Sequence, residues 1–390
     1  MTDPTTERAA WCALNTIFGF EPMTGHALVR AAGGAAAVFS LRKEELRAFL
    51  GPSRLCGRIS RKALDDAARG IEDLSRKGYR FHSHAEPSYP DLLRECEDPP
   101  LGLYVRSDTP PEGLFPKGRA FIAVVGTRDL TPYGNEWCRK IVCALAATAD
   151  KPVIVSGLAL GTDAVAHQTA LECGLATIGV MATGIDGVYP HRHGALADRM
   201  AAAPGSGLIT DFPPGTAPLA VHFLRRNRII AGLCRAVILT ESKVRGGGMT
   251  TARLAASYNR DVLALPGRAD DLRSTGCNLL IREKIAEPLT DLDALPAQLG
   301  LAARGRKGAE RDLPSEIRAR YAGSLPPEEV ERLVTLACLI LEHRGISTEE
   351  LCRESGAGWP QTAAGTALLE ADGIIGTDLF GNCFIKPKNV

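Results

Sequence analysis

Apolar positions change their spacing twice along the chain. Up to about residue 85 they recur every three or four residues. Trp11, Leu14, Ile17 and Phe18 share one helical face; so do Leu46, Phe49 and Leu50, and again Leu64, Ala67, Ala68, Ile71 and Leu74. Breaks at Gly19, Gly33-Gly34 and Gly51-Pro52 keep these helices short, so residues 1–85 are expected to form a small helical domain. A connector spans 86–118, with Tyr89-Pro90, Asp98-Pro99-Pro100 and a short strand at Leu103-Tyr104-Val105. From 119 to 298 short apolar runs alternate with helical stretches. The runs are FIAVV (121–125), VIVS (153–156), ATIGVM (176–181), GLIT (207–210), AVILT (236–240) and DVLAL (261–265); helices are expected near 134–148, 163–173, 194–203, 225–232 and 249–258. The runs are apolar on both faces, which marks a parallel sheet covered by helices on both sides. An α/β, doubly wound, Rossmann-like sheet follows, with ligand loops at the carboxyl ends of its strands.

Residues 299–324 read as a linker that includes the polar run Arg304–Arg311. Beyond it, 325–390 predicts helices at 327–343, 347–355 and 360–371. A hairpin follows, from Ile374-Ile375 through a turn at Asp378–Gly381 to Cys383-Phe384-Ile385. Three helices and a hairpin are the winged-helix pattern.

Composition narrows the function classes. With 45% apolar and 23% charged residues, the 390-residue chain can bury a core and needs two or three domains. The net charge is +1, so attraction to a polyanion must come from a local patch. No apolar run is long enough to span a membrane, and the start lacks a signal-peptide pattern; a cytoplasmic protein is expected. The 11 cysteines are scattered without Cys-x-x-Cys spacing, and His82/His84 and His191/His193 lack companion ligands, so free thiols and no metal are expected. No cofactor fingerprint is present: Gly126-Thr127-Arg128 is not the dinucleotide motif, and no Gly-Lys-Ser/Thr phosphate loop occurs.

The loops after the strands carry the candidate chemistry. Gly126 and Arg128 offer a close backbone approach and a guanidinium fork. Ser156, Gly157 and Gly161 open a helix at Thr162-Asp163, where amides suit an anion; His167, inside that helix, reads as structural. Thr183–Pro190 and Asp211–Thr216 are sharp turns. Phe223-Leu-Arg225-Arg226-Asn227-Arg228 places a basic cluster at a helix start, and Lys243-Val-Arg245-Gly246-Gly247-Gly248-Met-Thr250 is a glycine run opening another. Asn278 follows in a last loop. Between 222 and 260 stand eight cations and one acid, Glu241. Several cationic loops along one sheet edge suit a nucleic-acid backbone better than one nucleotide. Phe223 can stack a base, and narrow loop pockets favour a single strand over a duplex. The competing reading is a nucleotide-binding or nucleotide-hydrolysing enzyme using Asp163, Asp186 or Asp211, against which stands the lack of a paired-carboxylate constellation.

The motifs Gly126-Thr-Arg128, SGLALGTDAVAH, GIDGVYP, F-x-x-RNRII, GGGMTTA, LPG and Gly-x-Asn-x-Leu-Ile, in this order, resemble the DNA-processing protein A family (DprA, also called Smf). The helical start resembles that family's sterile-alpha-motif or helix-hairpin-helix-like domain, and the tail its winged helix. Departures from the family pattern include Asp211 for Glu, Thr162 for Ile, Ala231 for Ser, Cys277 for Thr and Leu224 for Pro. The resemblance implies binding and protection of incoming single-stranded DNA in natural transformation, help in loading the RecA recombinase, a homodimer formed through the Rossmann-like domain, and no catalytic activity. It places the DNA pocket on Arg128, Ser156-Gly157, Phe223, Arg226-Asn227-Arg228, Lys243 and Gly246–Gly248.

Overall fold

The computed structural model describes residues 4–301, 313–343, 346–377 and 382–385. The chain divides into two units, Met1–Arg304 and Gly305–Val390. The first unit opens with helices α1 (Pro4–Phe18), α2 (Pro22–Ala32), α3 (Ala35–Val38), α4 (Lys43–Leu50) and α5 (Arg61–Arg76). Their inward faces are the ones the periodicity marks: Leu14, Phe18, Leu46, Leu64 and Leu74 are buried, although Phe49 stays 45% exposed. The sequence pattern of 1–85 conceals a strand, β1 (Tyr79–Ser83), which pairs antiparallel with β2 (Gly102–Arg106). Through these strands the helices join the sheet. Trp11, Leu14 and Phe18 belong to the same apolar cluster as Tyr104, Met181, Leu196 and Leu208.

Two short helices flank β2: α6 (Asp91–Arg94) and α7 (Pro111–Leu114). Then β3 (Phe121–Val125), α8 (Pro132–Ala146), β4 (Val153–Ser156), α9 (Thr162–Glu172), β5 (Thr177–Val180), α10 (Gly194–Ala202) and β6 (Gly207–Thr210) run on. They are followed by α11 (Ala220–Leu233), β7 (Ala236–Leu239), α12 (Gly247–Ser257), β8 (Asp261–Ala264), α13 (Thr275–Arg282), β9 (Glu287–Pro288) and α14 (Leu295–Gln298). Among the described residues nine strands form one sheet in the order β1-β2-β6-β5-β4-β3-β7-β8-β9. From β6 to β9 all pairs are parallel; β2 joins β6 antiparallel. The sheet is thus the expected mostly parallel α/β layer with an antiparallel edge added.

Alternation along β3 shows why both faces are apolar. Ile122 and Val124 pack under α8 and α9 with Cys138, Ile141 and Ala166. Ala123 and Val125 face α11 and α12 with Ile229, Ile230, Met249 and Ala252. Helices on both faces leave no wet side, so no polar alternation survives.

One link at the junction of helices and sheet responds to acid. Glu86 accepts from the Ser83 amide at 3.0 Å, lies 2.9 Å from His82 and pairs with Arg8 at 3.0 Å. Burial pushes its carboxyl up, but the hydrogen bonds from His82 and Ser83 and the charges of His82 and Arg8 outweigh it and hold the pKa at about 2, against an ordinary 4.5. A depressed carboxyl stabilises the fold above its unfolded pKa and loses that contribution as pH falls from about 4.5 to about 2. Discounted for solvent screening, the contribution is about 0.5–1 kcal/mol. Glu86→Gln should therefore flatten the urea-unfolding free energy between these pH values; an unchanged acid limb would refute the link.

The second unit holds α15 (Leu313–Tyr321), α16 (Pro327–Glu342), α17 (Thr348–Ser355) and α18 (Trp359–Ala371), with a sheet ordered β10-β12-β11. Here β10 is Ile346–Ser347, β11 is Ile375–Thr377 and β12 is Asn382–Ile385, and β12 is antiparallel to both neighbours. Helices α16 to α18 fall where the periodicity places them. Helix α15 lies inside the stretch read as linker: Leu313, Ile317 and Tyr321 pack with Leu336 and Ile340, so this segment is part of the unit's core. The run Arg304–Arg311 and the turn Asp378–Gly381 lie outside the described residues.

Candidate nucleic-acid interface

Strand order locates the site. The chain leaves β3 towards β4 and leaves β7 towards β8, in opposite directions across the sheet, although β3 and β7 are neighbours. Connections that part this way open a crevice at the strands' carboxyl ends. A cavity of about 680 Å³ lies there. Its walls are the loop after β3 (Gly126–Asp129), the start of α9, the start of α11 and the loop from β7 into α12 (Ser242–Gly248).

Helix α11 presents one face to the cavity: Phe223, Arg226, Asn227 and Ile230, at helical spacings of three, four and seven. The other two cations of its basic cluster point elsewhere. Arg228 is buried and pairs with Asp211 at 2.6 Å, and also donates to the Asp98 carbonyl. Arg225 donates to the Phe20 carbonyl at 3.0 Å and lies over the Phe20 ring at 4.5 Å. Neither lines the cavity. Arg253 sits 3.6 Å from Glu283, and Arg260 donates to the Leu92 carbonyl at 2.8 Å. The cationic excess of 222–260 is therefore not one continuous rim: at about 100° per residue, adjacent arginines on a helix serve different faces. The cavity's own cations are Arg226, Lys243 and Arg245, with Arg128 from the β3 loop. Arg245, one of the two cations read in the glycine loop from the sequence, joins Lys243 in the cavity wall.

Arg226 is the buried member. It donates to the Gly157 carbonyl at 2.6 Å and to the Val180 carbonyl. Burial lowers its pKa to about 10, while the charge of Asp163 pulls it back up. Asp163 in turn accepts from the amides of Gly157 (3.1 Å) and Ala159 (3.2 Å); burial raises its pKa, and Arg226 and these amides oppose the rise. Two amides of the loop before α9, those of Gly157 and Ala159, are thus already occupied by a side chain, and the first helical amide, that of Thr162, donates to the Thr127 carbonyl at 3.1 Å. Gly157 and Gly161 serve the packing: any side chain at 157 would strike the Arg226 guanidinium, and Gly161 adopts φ +73° as the N-cap of α9. Ser156 is buried and donates to the Val124 carbonyl at 2.7 Å. His167 is buried, with Nδ1 2.7 Å from Thr177 Oγ1, and burial lowers its pKa to about 3, as a structural histidine requires.

The start of α12 also opens on the cavity. Its N-cap is Gly246, and no side chain caps it. Gly246, Gly247 and Gly248 line the cavity beside Lys243 and Arg245, so the positive end of the helix dipole faces the open space. Asn227 Nδ2 donates to the Gly247 carbonyl at 3.3 Å and holds the loop against α11. Gly126 fits because a Cβ there would meet the Thr162 and Thr240 hydroxyls. Arg128 lies over the Phe223 ring at 5.0 Å, and Tyr189 meets that ring edge-on at 5.5 Å. Tyr189, a wall residue with no assigned role in the sequence reading, belongs to the conspicuous GIDGVYP turn.

Two remaining candidates fall outside. Thr250 lines an adjoining depression of about 590 Å³ with Leu224 and Arg253. Asn278 exchanges hydrogen bonds with both backbone groups of Gly267, at 3.2 and 3.0 Å, and closes the Leu-Pro-Gly turn. The candidate acids are all engaged: Asp163 as above, Asp211 with Arg228, and Asp186 with the Gly215 amide at 2.9 Å. The other cavity acid, Asp129, pairs with Arg273 at 2.7 Å. Among the described residues no cluster of His, Cys, Asp and Glu has metal-site geometry, and no helix is long and apolar enough to cross a membrane.

Comparison with known proteins agrees with this architecture. Protein Smf of Synechocystis is 32% identical over 327 residues, covering 78% of this chain and 80% of the relative. The DNA processing protein DprA of Streptococcus pneumoniae is 39% identical over 225 residues, 56% of this chain and 73% of that protein. Its X-ray structure superposes with a TM-score of 0.61 at 30% identity, over 76% of this chain and 98% of that one. A structure describing the single-stranded DNA binding mode of Helicobacter pylori DNA processing protein A gives a TM-score of 0.50 at 28% identity, over 57% of this chain and 95% of the other. The family model of the DNA recombination-mediator protein A matches residues 80–300, the span that carries the sheet and every wall of the cavity, and the chain belongs to that family.

Proposed function

We propose that this chain binds single-stranded DNA in the cavity between β3 and β7 and acts as a recombination mediator on incoming DNA during natural transformation. The observation that carries the reading is the set of Arg128, Arg226, Lys243 and Arg245 around the uncapped start of α12. Backbone phosphates meet the α12 amides and the cations, and a splayed base meets Phe223. A duplex, with its bases stacked inside, has no unpaired base to offer this ring. The process is capture without bond making, because each acid at the cavity is spent on amides or on an arginine.

If three or four phosphates are neutralised, log affinity should fall with log salt at a slope between about −2 and −3. Filter binding of an oligothymidine across a salt series measures it, and a flat response would remove the DNA reading. Turnover of a nucleoside triphosphate lost on Asp163→Asn would instead favour the hydrolase alternative.

We also assign the finer steps to this protein as proposals. It works as a homodimer through the sheet domain and delivers the strand to the RecA recombinase, with residues 1–85 and 325–390 as accessory domains. The tail's role is protein contact rather than a winged helix reading duplex DNA, because α18 carries Glu370 and no cation. Light scattering of the purified chain tests the dimer. Recombinase loading by a chain truncated after Arg304, where the second unit begins, tests the tail.

A further inference from the structure

Helices α8 and α9 pack side by side on one face of the sheet. Each follows a parallel strand and runs back along it, so both start at the carboxyl ends of the strands and finish at the far end, away from the cavity. There Cys143, in the last turn of α8, and Cys173, the C-cap of α9, bring their sulfurs to 3.2 Å. Cys143 is exposed and Cys173 half-buried. The ion pair Arg139–Glu172, at 2.7 Å, joins the same two helices beside them.

We propose that Cys143 and Cys173 are a modification site that a small-molecule disulfide of the glutathione class converts into an intramolecular disulfide. The sulfurs need to close from 3.2 Å to about 2.0 Å. The Cys143 thiolate, reachable from solvent, attacks one sulfur of the external disulfide and expels one small thiolate. A mixed disulfide remains on Cys143. Cys173 then loses its proton to solvent, attacks the Cys143 sulfur and expels the second small thiolate. Two protein thiols are oxidised and one external disulfide is reduced to two thiols, so electrons balance. Burial is the largest cause of the raised Cys173 pKa and still acts in the mixed disulfide, so the second step speeds up as pH rises. The new bond closes a loop that contains β4 and the whole of α9, including the Asp163 wall of the cavity, and so restricts the unfolded chain. Its place at the far end of both helices leaves the cavity open. Nothing in this depends on what the cavity binds.

The test uses the full, reduced chain incubated with oxidised glutathione and mapped by mass spectrometry of non-reduced peptides. A peptide pair joined through Cys143 and Cys173, lost on treatment with dithiothreitol, is expected. Cys173→Ser should stall as the mixed disulfide on Cys143, and Cys143→Ser should form no internal link. The oxidised wild type should melt several degrees above the reduced one. Glutathione remaining on Cys143 of the wild type without an internal link, or a link formed mainly by other cysteines, would overturn the proposal. So would a melting temperature that does not rise once the link is present. Should a serine variant fail to fold, the wild-type peptide map alone still decides.

Discussion

Arg226→Ala is expected to remove about 3–5 kcal/mol from the stability of the first unit and to abolish strand binding at the same time. The guanidinium ties three elements together: α11, the Gly157 carbonyl after β4 and the Val180 carbonyl at the end of β5. It also provides the positive charge near Asp163, whose ionised form burial already disfavours. Alanine leaves two carbonyls unpaired and the carboxylate uncompensated. In the variant Asp163 takes up a proton at a higher pH than in the unfolded chain. A proton relieves a buried carboxylate, so the variant's deficit should shrink as pH falls. Arg226→Lys keeps the charge but not the fork and should lose an intermediate amount. Urea unfolding followed by a probe in the first unit measures this, and a loss below about 1 kcal/mol would show that the buried contacts carry no weight.

Arg128→Ala should behave in the opposite way. Its guanidinium rests on the Phe223 ring rather than on a carboxylate, a contact worth about 0.5–1 kcal/mol at an exposed site. Stability should change by no more than that. Affinity for oligothymidine should fall by more than about tenfold, on the order of 1.4 kcal/mol, and so should affinity in Lys243→Ala. The salt slope should become shallower by about 0.7 for each lost phosphate contact. If both variants bind within twofold of the wild type while Arg226→Ala still unfolds early, the cavity is a structural feature and the strand binds elsewhere. The two substitutions thus separate a cation that builds the site from cations that face its occupant.

Helical phase explains how much of this wall was readable in advance. Phe223, Arg226, Asn227 and Ile230 share a face that the periodicity of α11 alone defines, and the same phase sends Arg225 and Arg228 away from it. Counting charge along the segment conceals this, because a count carries no direction. Arg228 could not be assigned to Asp211 and the Asp98 carbonyl from the sequence, nor Asn278 to Gly267, since no local pattern distinguishes a satisfied polar side chain from a waiting one. The same holds for Glu241, the lone acid of the basic segment. It is buried and accepts from the amide and hydroxyl of Thr131, 110 residues away, at the start of α8.

Local pattern was enough for the alternation of strands and helices between 119 and 265, though not for α13, β9 and α14 beyond it, for the parallel sheet implied by strands apolar on both faces, and for glycine loops with cations at the strand ends. These depend on periods of two and 3.6 residues and on the backbone freedom of glycine, which act over a few neighbours. Only the tertiary structure decided the antiparallel edge through β1 and β2, the merging of the first five helices with that edge, and which cations share one cavity. Those outcomes depend on strand order and on partners tens to hundreds of residues apart, and contacts over such distances leave no periodic trace in the chain.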